Sequence, residues 1–218
     1  IEGTWKLLEA CRQSSYIKGI IVASSDKAYG DSTCLPYNET HALAGCHPYD
    51  VSKSCADLLA NTYHQTYRLP VCITRCGNIY GPGDFNFSRI VPETILSALG
   101  NKTLLIRSNG KFIRDYIYID DIIDGYLRIA QTMKNLKLSG EAFNFSNGKP
   151  VSVLKLVKII YKILGKTPNY KISNQANREI KNQYLSAEKA QKTFGWQPKF
   201  SLIKGLKLTI NWYKNLVE

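Results

Sequence analysis

Two short clusters in this chain hold residue types that can move protons and hydride. The first, Ser24-Ser25-Asp26-Lys27-Ala28-Tyr29-Gly30, follows the apolar run Gly19-Ile20-Ile21-Val22-Ala23. The second, Tyr49-Asp50-Val51-Ser52-Lys53, opens a helical stretch behind Pro48, a residue suited to a first helical position. A Tyr and a Lys four residues apart share one helix face, so both can be aimed at one spot. An ammonium beside a phenol favours the phenolate and lowers the Tyr pKa. Such a Tyr can take the proton of a sugar hydroxyl while hydride leaves the same carbon for a nicotinamide ring.

The elements that must position these clusters follow from the patterning. The run before Ser24 has strand composition and is apolar throughout, as a strand covered on both faces would be. The polar cluster therefore stands at the carboxyl end of a buried strand, where ligands bind in open α/β sheets. Residues 4–14 read as a helix with Leu7, Leu8 and Cys11 inward, and 48–68 as the longest helix, with Leu58, Leu59, Thr62 and Tyr63 as its buried stripe. Residues 71–76 read as a second buried strand, ending in a Gly-rich loop, Gly77-Asn78-Ile79-Tyr80-Gly81-Pro82-Gly83-Asp84. This alternation predicts a parallel sheet with helices on both faces. Further on, the patterns predict a helix over 88–99, strands over 103–106 and 113–119, a helix over 120–134 capped by Asp120, and a strand over 142–145. A helix over 152–164 stopped by Gly165, a strand over 169–172, a helix from Ser186 to Phe194 and a final helix over 202–216 complete the reading. The expected fold is a Rossmann-like doubly wound parallel sheet. Residues 1–84 form the half that carries the motifs, and 85–218 a smaller mixed lobe into which sheet elements return at about 103–145.

Composition narrows the partners. With 218 residues, 44% hydrophobic and 21% charged, the chain is ordinary globular protein, and no apolar run reaches the roughly 20 residues that span a bilayer. It opens inside an amphipathic helix, without a Met or a cap, so a preceding segment is expected. The six cysteines form no Cys-x-x-Cys pair and read as free thiols of a reducing cytoplasm. No His/Cys cluster is read as a metal site, and His41 and His47 read as exposed loop residues. Residues 1–133 balance 13 basic with 13 acidic side chains, while 134–218 carry 16 basic and 4 acidic, so the net +12 lies wholly in the C-terminal part. Without interleaved aromatics this reads as a solvated Lys face and not as a nucleic-acid surface.

Taken in order, six motifs resemble the extended short-chain dehydrogenase/reductases, above all the nucleotide-sugar epimerases and 4,6-dehydratases. They are Ser24 to Gly30, Pro48 to Lys53, Arg75-Cys76-Gly77-Asn78-Ile79-Tyr80-Gly81-Pro82-Gly83, Arg89-Ile90-Val91-Pro92, Ile113-Arg114-Asp115-Tyr116-Ile117-Tyr118-Ile119-Asp120-Asp121 and Phe194-Gly195-Trp196-Gln197-Pro198. The resemblance implies an NAD domain, a nucleotide-diphosphate-sugar lobe and a homodimer built on the helix that holds Tyr49. The family's Gly-x-x-Gly-x-x-Gly loop and ribose-binding acid belong before the point where this sequence starts. A module that binds sugar nucleotides without catalysis is therefore one further reading.

Residue by residue, the resemblance implies these roles. Tyr49 is the base at the 4-hydroxyl, Lys53 holds the nicotinamide ribose, Ser25 bonds the same hydroxyl, and Ser24 and Cys76 flank the cofactor. Asn78, Arg89, Arg114 and Arg178 hold the sugar nucleotide, with Glu179 beside Arg178, while Arg75 is structural. Asp26-Lys27 decides the reaction. Plain 4-epimerases tend to carry small residues there, whereas a 4,6-dehydratase needs an acid for the 6-hydroxyl and a base for the carbon-5 proton. Asp26 and Lys27 supply them in the manner of cytidine-linked glucose 4,6-dehydratases. If the two instead form an inert salt bridge, a 4-epimerase is the alternative. Arg114-Asp115-Tyr116 has the general epimerase form and leaves the nucleotide base open.

Overall fold

The computed structural model describes residues 1–176 and 179–217. In chain order it contains α1 (Glu2–Gln13), β1 (Ile20–Ala23), a 3-10 turn (Asp26–Tyr29), α2 (Pro48–Tyr67), β2 (Val71–Cys76), β3 (Asn78–Tyr80) and α3 (Ile90–Leu99). There follow β4 (Leu104–Ile106), β5 (Ile113–Arg114), β6 (Tyr116–Tyr118), α4 (Ile119–Thr132), β7 (Ala142–Phe145) and β8 (Val151–Ser152). The chain closes with α5 (Val153–Leu164), β9 (Tyr170–Ile172), β10 (Asn182–Gln183), α6 (Glu188–Phe194) and α7 (Leu202–Val217).

β1, β2 and β7 make a parallel sheet in that order, with Ile20 opposite Val71 and Ile73 opposite Ala142. β2 is buried at all six positions. On one face Leu8 of α1 and Ala60 of α2 pack onto Val71 and Ile73. On the other, Ile129 of α4 and Ala190 and Trp196 around α6 pack onto Phe143 and Phe145. Helices on both faces of a parallel sheet are the doubly wound arrangement the sequence predicts. β3 pairs in parallel with β6, β4 with β9, and β10 with β5, while β8 runs antiparallel to β5. Tyr80, Tyr118, Leu156, Leu206 and Tyr213 fill the core beneath these short strands. Among the described residues no helix is long and apolar enough to cross a membrane.

Several local expectations change. The strand expected over 113–119 is two strands, because the chain changes partners at Asp115. Before it, β5 pairs with β8 and β10, and after it, β6 pairs with β3. The fully buried Asp115 carboxylate accepts from Ser146 Oγ and from the Leu185 and Asn147 amides, and burial lifts its pKa to about 6. The loop expected after Cys76 begins as a strand, β3, once the Asn78 amide donates to Asp115 O at 2.7 Å. Asp120 is no cap. Tyr118 holds that position, and Asp120 lies in the first turn, where its charge meets the helix dipole. Leu7, Leu58 and Thr62 point outward, and so do Ile123 and Leu127, which the helical pattern over 120–134 puts inward with Ile122, Tyr126 and Ile129, since the helices approach the sheet through smaller residues such as Ala56, Ala60 and Gly125. At Gly125 an added Cβ would lie 2.3 Å from the Phe145 ring. Ser152 caps α5 by accepting from the Lys155 amide, and Gly165 ends it in the left-handed region, as the sequence predicts.

One buried cation joins the first half. Arg75 on β2 grips Asp57 of α2 with two hydrogen bonds of 2.8 Å and donates to Tyr29 Oη at 2.9 Å. Tyr29 donates onward to Asn144 Oδ1 of β7 at 2.7 Å. Replacing Asp57 with Ala leaves the Arg75 charge buried and uncompensated, so Asp57→Ala is expected to cost about 3–5 kcal/mol of unfolding free energy. Urea denaturation followed by circular dichroism measures this, and a cost under about 1 kcal/mol would contradict a desolvated pair.

Candidate active site

A cavity of about 450 Å³ opens at the carboxyl ends of β1 and β2, a size usual for a small-molecule site. Nine of the eleven residues singled out in the sequence line it: Ser24, Ser25, Asp26, Lys27, Tyr49, Cys76, Asn78, Arg89 and Arg114. Lys53 stands beside the lining, and Arg178 lies outside the described residues.

The 3-10 turn delivers the residues expected to act as acid and base. The Ser25 hydroxyl accepts from the Lys27 amide at 3.2 Å, which winds the turn, and donates to Asp26 Oδ1 at 3.0 Å. Gly30 ends the turn at φ 71°, where an added Cβ would lie 2.1 Å from Ala44 O, so the loop before α2 presses against the turn. Ser54 Oγ bridges Ala28 O and Asp50 O at 2.9 and 3.0 Å, fixing the start of α2 to the same turn.

Asp26 is buried, and desolvation raises its pKa against the pull of Lys27. Lys27 is lowered, chiefly by desolvation and against Asp26. Burial thus drives the pair toward a neutral acid beside a neutral amine. They form no ion pair with each other. Lys27 Nζ donates instead to Gln183 Oε1, and Gln183 Nε2 donates to Asp26 O at 3.0 Å. Gln183 sits fully buried on β10, and the sequence reading missed it. It lies 156 residues from Lys27 in an unremarkable polar stretch, so only the three-dimensional pairing of β10 with β5 reveals it.

Tyr49 and Lys53 share the expected helix face, but their electrostatics differ from expectation. Tyr49 is 57% exposed, and its pKa is raised by partial burial, with Ser25 lowering it and Asp26 raising it again. The Lys53 ammonium is 5.9 Å from the ring centroid and donates to Ala23 O at 3.0 Å. It is therefore aimed at the strand end, and the lowering expected from it does not occur here.

Among the described residues, three buried polar atoms at the cavity have no partner: Ser24 Oγ, Asp26 Oδ2 and Asn78 Nδ2. A buried polar atom without a partner is costly, so a polar ligand is favoured there. Arg114 does not pair with Asp115 or Asp121. It lies buried over Phe112, donates to Ile113 O and Lys181 O, and meets Glu179 at 3.5 Å. Arg89 is exposed and pairs with Asp84 at 3.3 Å. The Cys76 thiol is pushed up to about 12 by burial and serves as packing.

A parallel sheet with a Ser, a Tyr and a Lys at its carboxyl edge defines an extended short-chain dehydrogenase/reductase of the epimerase/dehydratase type. The chain belongs to the family described as GDP-mannose 4,6 dehydratase, which matches residues 1–209. It is 31% identical over 217 residues to a trifunctional UDP-glucose 4,6-dehydratase/3,5-epimerase/reductase of Arabidopsis thaliana, covering 98% of this chain and 32% of that protein. It thus spans about a third of that relative's length. Among solved structures it resembles a dTDP-glucose 4,6-dehydratase of Bacillus anthracis in complex with NAD, at TM-score 0.88 and 30% identity, covering 99% of this chain and 67% of that one. It also resembles a UDP-glucuronic acid 4-epimerase of Bacillus cereus in complex with UDP-glucuronic acid and NAD, at TM-score 0.92 and 29% identity, with the same coverage.

Gln183→Leu keeps the buried volume but removes the acceptor that holds Lys27. Reductive methylation read by peptide mass spectrometry should then label Lys27 several times faster, with Lys53 unchanged. Equal Lys27 labelling in both proteins would show that Gln183 does not restrain it.

Proposed function

We propose that this chain carries the catalytic half-site of an NAD-dependent nucleotide-sugar 4,6-dehydratase. The observation that carries the reading is the desolvated Asp26–Lys27 pair beside Ser25 and Tyr49, with Lys27 Nζ bonded to Gln183. NAD fits the upper edge of the cavity, where the Ser24 hydroxyl lacks a partner and Lys53 stands at the end of β1. Ser24, Tyr49, Lys53 and the Cys76 backbone would hold it, and it would take hydride from the sugar's carbon 4 and return it at carbon 6.

This chain's own residues handle the protons. Ser25 orients the 4-hydroxyl, and Tyr49 takes its proton. With carbon 4 a ketone, the carbon-5 hydrogen is acidic, and a neutral Lys27 removes it. Asp26, kept protonated by burial, gives its proton to the departing 6-hydroxyl, which leaves as water. Lys27 then returns a proton to carbon 5 as carbon 6 is reduced, giving a 4-keto-6-deoxy sugar. Asn78, Arg89 and Arg114 suit the diphosphate and sugar, since guanidinium forks match phosphate oxygens. Arg178 belongs to the same proposed set on the family resemblance alone. The Asp-Lys pair favours a CDP-glucose-like donor.

Assay of the full-length protein with CDP-glucose, UDP-glucose, dTDP-glucose and GDP-mannose tests the reading, with formation of a 4-keto-6-deoxy product expected from one donor. Interconversion of 4-epimers without water loss would overturn it in favour of an epimerase. The reaction needs Lys27 neutral and Asp26 protonated. Turnover should therefore fall in acid as Lys27 takes a proton and fall in base as Asp26 loses one. The lowered Lys27 and the raised Asp26 both widen the interval in which the two forms coexist. Asp26→Asn should cut turnover by roughly 10²–10⁴ while partial reduction of NAD persists. Loss of that reduction as well would assign Asp26 a structural role.

The outward faces of α1 and α2 carry exposed Leu7, Val51, Leu58 and Tyr67, which supports a homodimer through these helices. Sedimentation should give a dimer for the wild type and a monomer for Leu58→Glu. A wild-type monomer would refute it. The six cysteines are free, in keeping with a cytoplasmic enzyme.

A further inference from the structure

The loop that leads into α2 and the first turn of that helix hold a cluster the proposed reaction does not use. Cys46 Sγ lies 3.6 Å from His47 Nδ1, and His47 Nδ1 lies 2.9 Å from Asp50 Oδ2. The three donor atoms all fall within 4.8 Å of one another. Zinc-to-ligand bonds of about 2.3 Å for sulfur and 2.0–2.1 Å for nitrogen, opened to a tetrahedral angle, separate the two donors by about 3.6 Å. The Cys46–His47 spacing therefore equals one edge of such a coordination sphere. The His47–Asp50 edge needs to open only by a few tenths of an ångström, for which about 3.3 Å is the corresponding tetrahedral value.

The local backbone builds this arrangement. His47 is the residue before α2, and Asp50 falls in the first turn, so both side chains meet at one helix end. Gly45 brings the loop against that turn: a Cβ there would lie 2.5 Å from the Asp50 carbonyl carbon and 2.8 Å from Ser54 Oγ. The close approach fixes Cys46 and His47 over Asp50. Asp50 is buried, His47 is partly covered and Cys46 is exposed. An ion would thus enter from the solvent side onto a carboxylate already held in place by the helix.

We propose that Cys46, His47 and Asp50 bind a thiophilic divalent cation, of the zinc class, with three protein ligands and a fourth position open to water. Thiolate and imidazole select such an ion over magnesium or calcium. Cys46 loses its thiol proton to the solvent on binding, and the cation takes its place. The ligands bracket Tyr49, with His47 two residues before it and Asp50 one after, so an ion there clamps the helix end that presents the proposed base. It is a site additional to the dehydratase chemistry and does not depend on it.

Cobalt(II) titration of the full chain, followed by absorption, tests this without reference to activity. One equivalent should produce a near-ultraviolet thiolate-to-cobalt band and visible bands with the intensity of a four-coordinate ion, and zinc should abolish both. Cys46→Ser should remove the thiolate band, and Cys34→Ser, at the other exposed cysteine, should leave it intact. Asp50→Asn should weaken cobalt binding by at least the roughly tenfold that loss of a metal site's outer partners costs. Circular dichroism checks that each variant is folded, and His47→Gln serves as the second ligand variant should Asp50→Asn unfold. No thiolate band in the wild type, or a band that survives Cys46→Ser, would overturn the proposal.

Discussion

The guanidinium of Arg75 is the constraint on which the arrangement of the site depends. It rises from the central strand of the sheet, holds Asp57 of α2 with two bonds and donates to Tyr29 at the end of the 3-10 turn. α2 carries Tyr49 and Lys53, and the turn carries Ser25, Asp26 and Lys27. A planar cation with several fixed donors sets the angle between two elements in a way that apolar packing does not. The Tyr29 ring stacks on Tyr37 at 4.9 Å, which carries the same ordering out into the loop that precedes α2. A charge buried this deeply is costly unless fully paired, so the geometry that satisfies Arg75 is also the geometry that assembles the site.

A second tie reaches the site from the far end of the chain. β10 has only two residues, yet Gln183 uses both ends of its amide on the 3-10 turn. Gln183 is placed by the pairing of β10 with β5, and β5 ends in Arg114, whose donors meet the backbone at Lys181. The residues read as sugar-nucleotide ligands and those read as acid and base are therefore parts of one hydrogen-bonded unit. A shift in one is felt in the other through a few short, buried bonds.

The doubly wound sheet was legible because its signals are local and redundant. The apolar run of β1, although that strand lies half-buried at the sheet edge, the Pro at the start of α2, and the Ser152 and Gly165 punctuation of α5 each carry their own physical cause. The cluster of Ser24 to Lys27 with Tyr49 was legible for the same reason, since a strand end and a helix start can both be read along the chain. What the sequence did not show depends on pairing at a distance. The break at Asp115 comes from a change of partner strand, and the outward turn of Leu58 and Leu127 comes from helices that approach through Ala and Gly instead of through their largest residues. Gln183 has no signal in its own neighbourhood, and Cys46, His47 and Asp50 were read singly because their grouping depends on a glycine contact with the helix.

The behaviour of Tyr49 shows why motif and mechanism are separate matters. The Tyr-x-x-x-Lys spacing puts both side chains on one face, but the ammonium satisfies itself at Ala23 O, and partial burial keeps the phenol above its ordinary value. A Lys lowers a neighbouring pKa by bringing its ammonium close to the ionising atom, and an acceptor elsewhere draws it away. The carbonyl at the end of β1 is such an acceptor, and it also marks where a ribose hydroxyl would compete for the same ammonium. Under the proposed chemistry, a ribose hydroxyl bound there would draw Lys53 toward the phenol. Under the proposed chemistry the base therefore awaits the ligand it serves, while burial shifts Asp26 and Lys27 beforehand, each against the pull of the other.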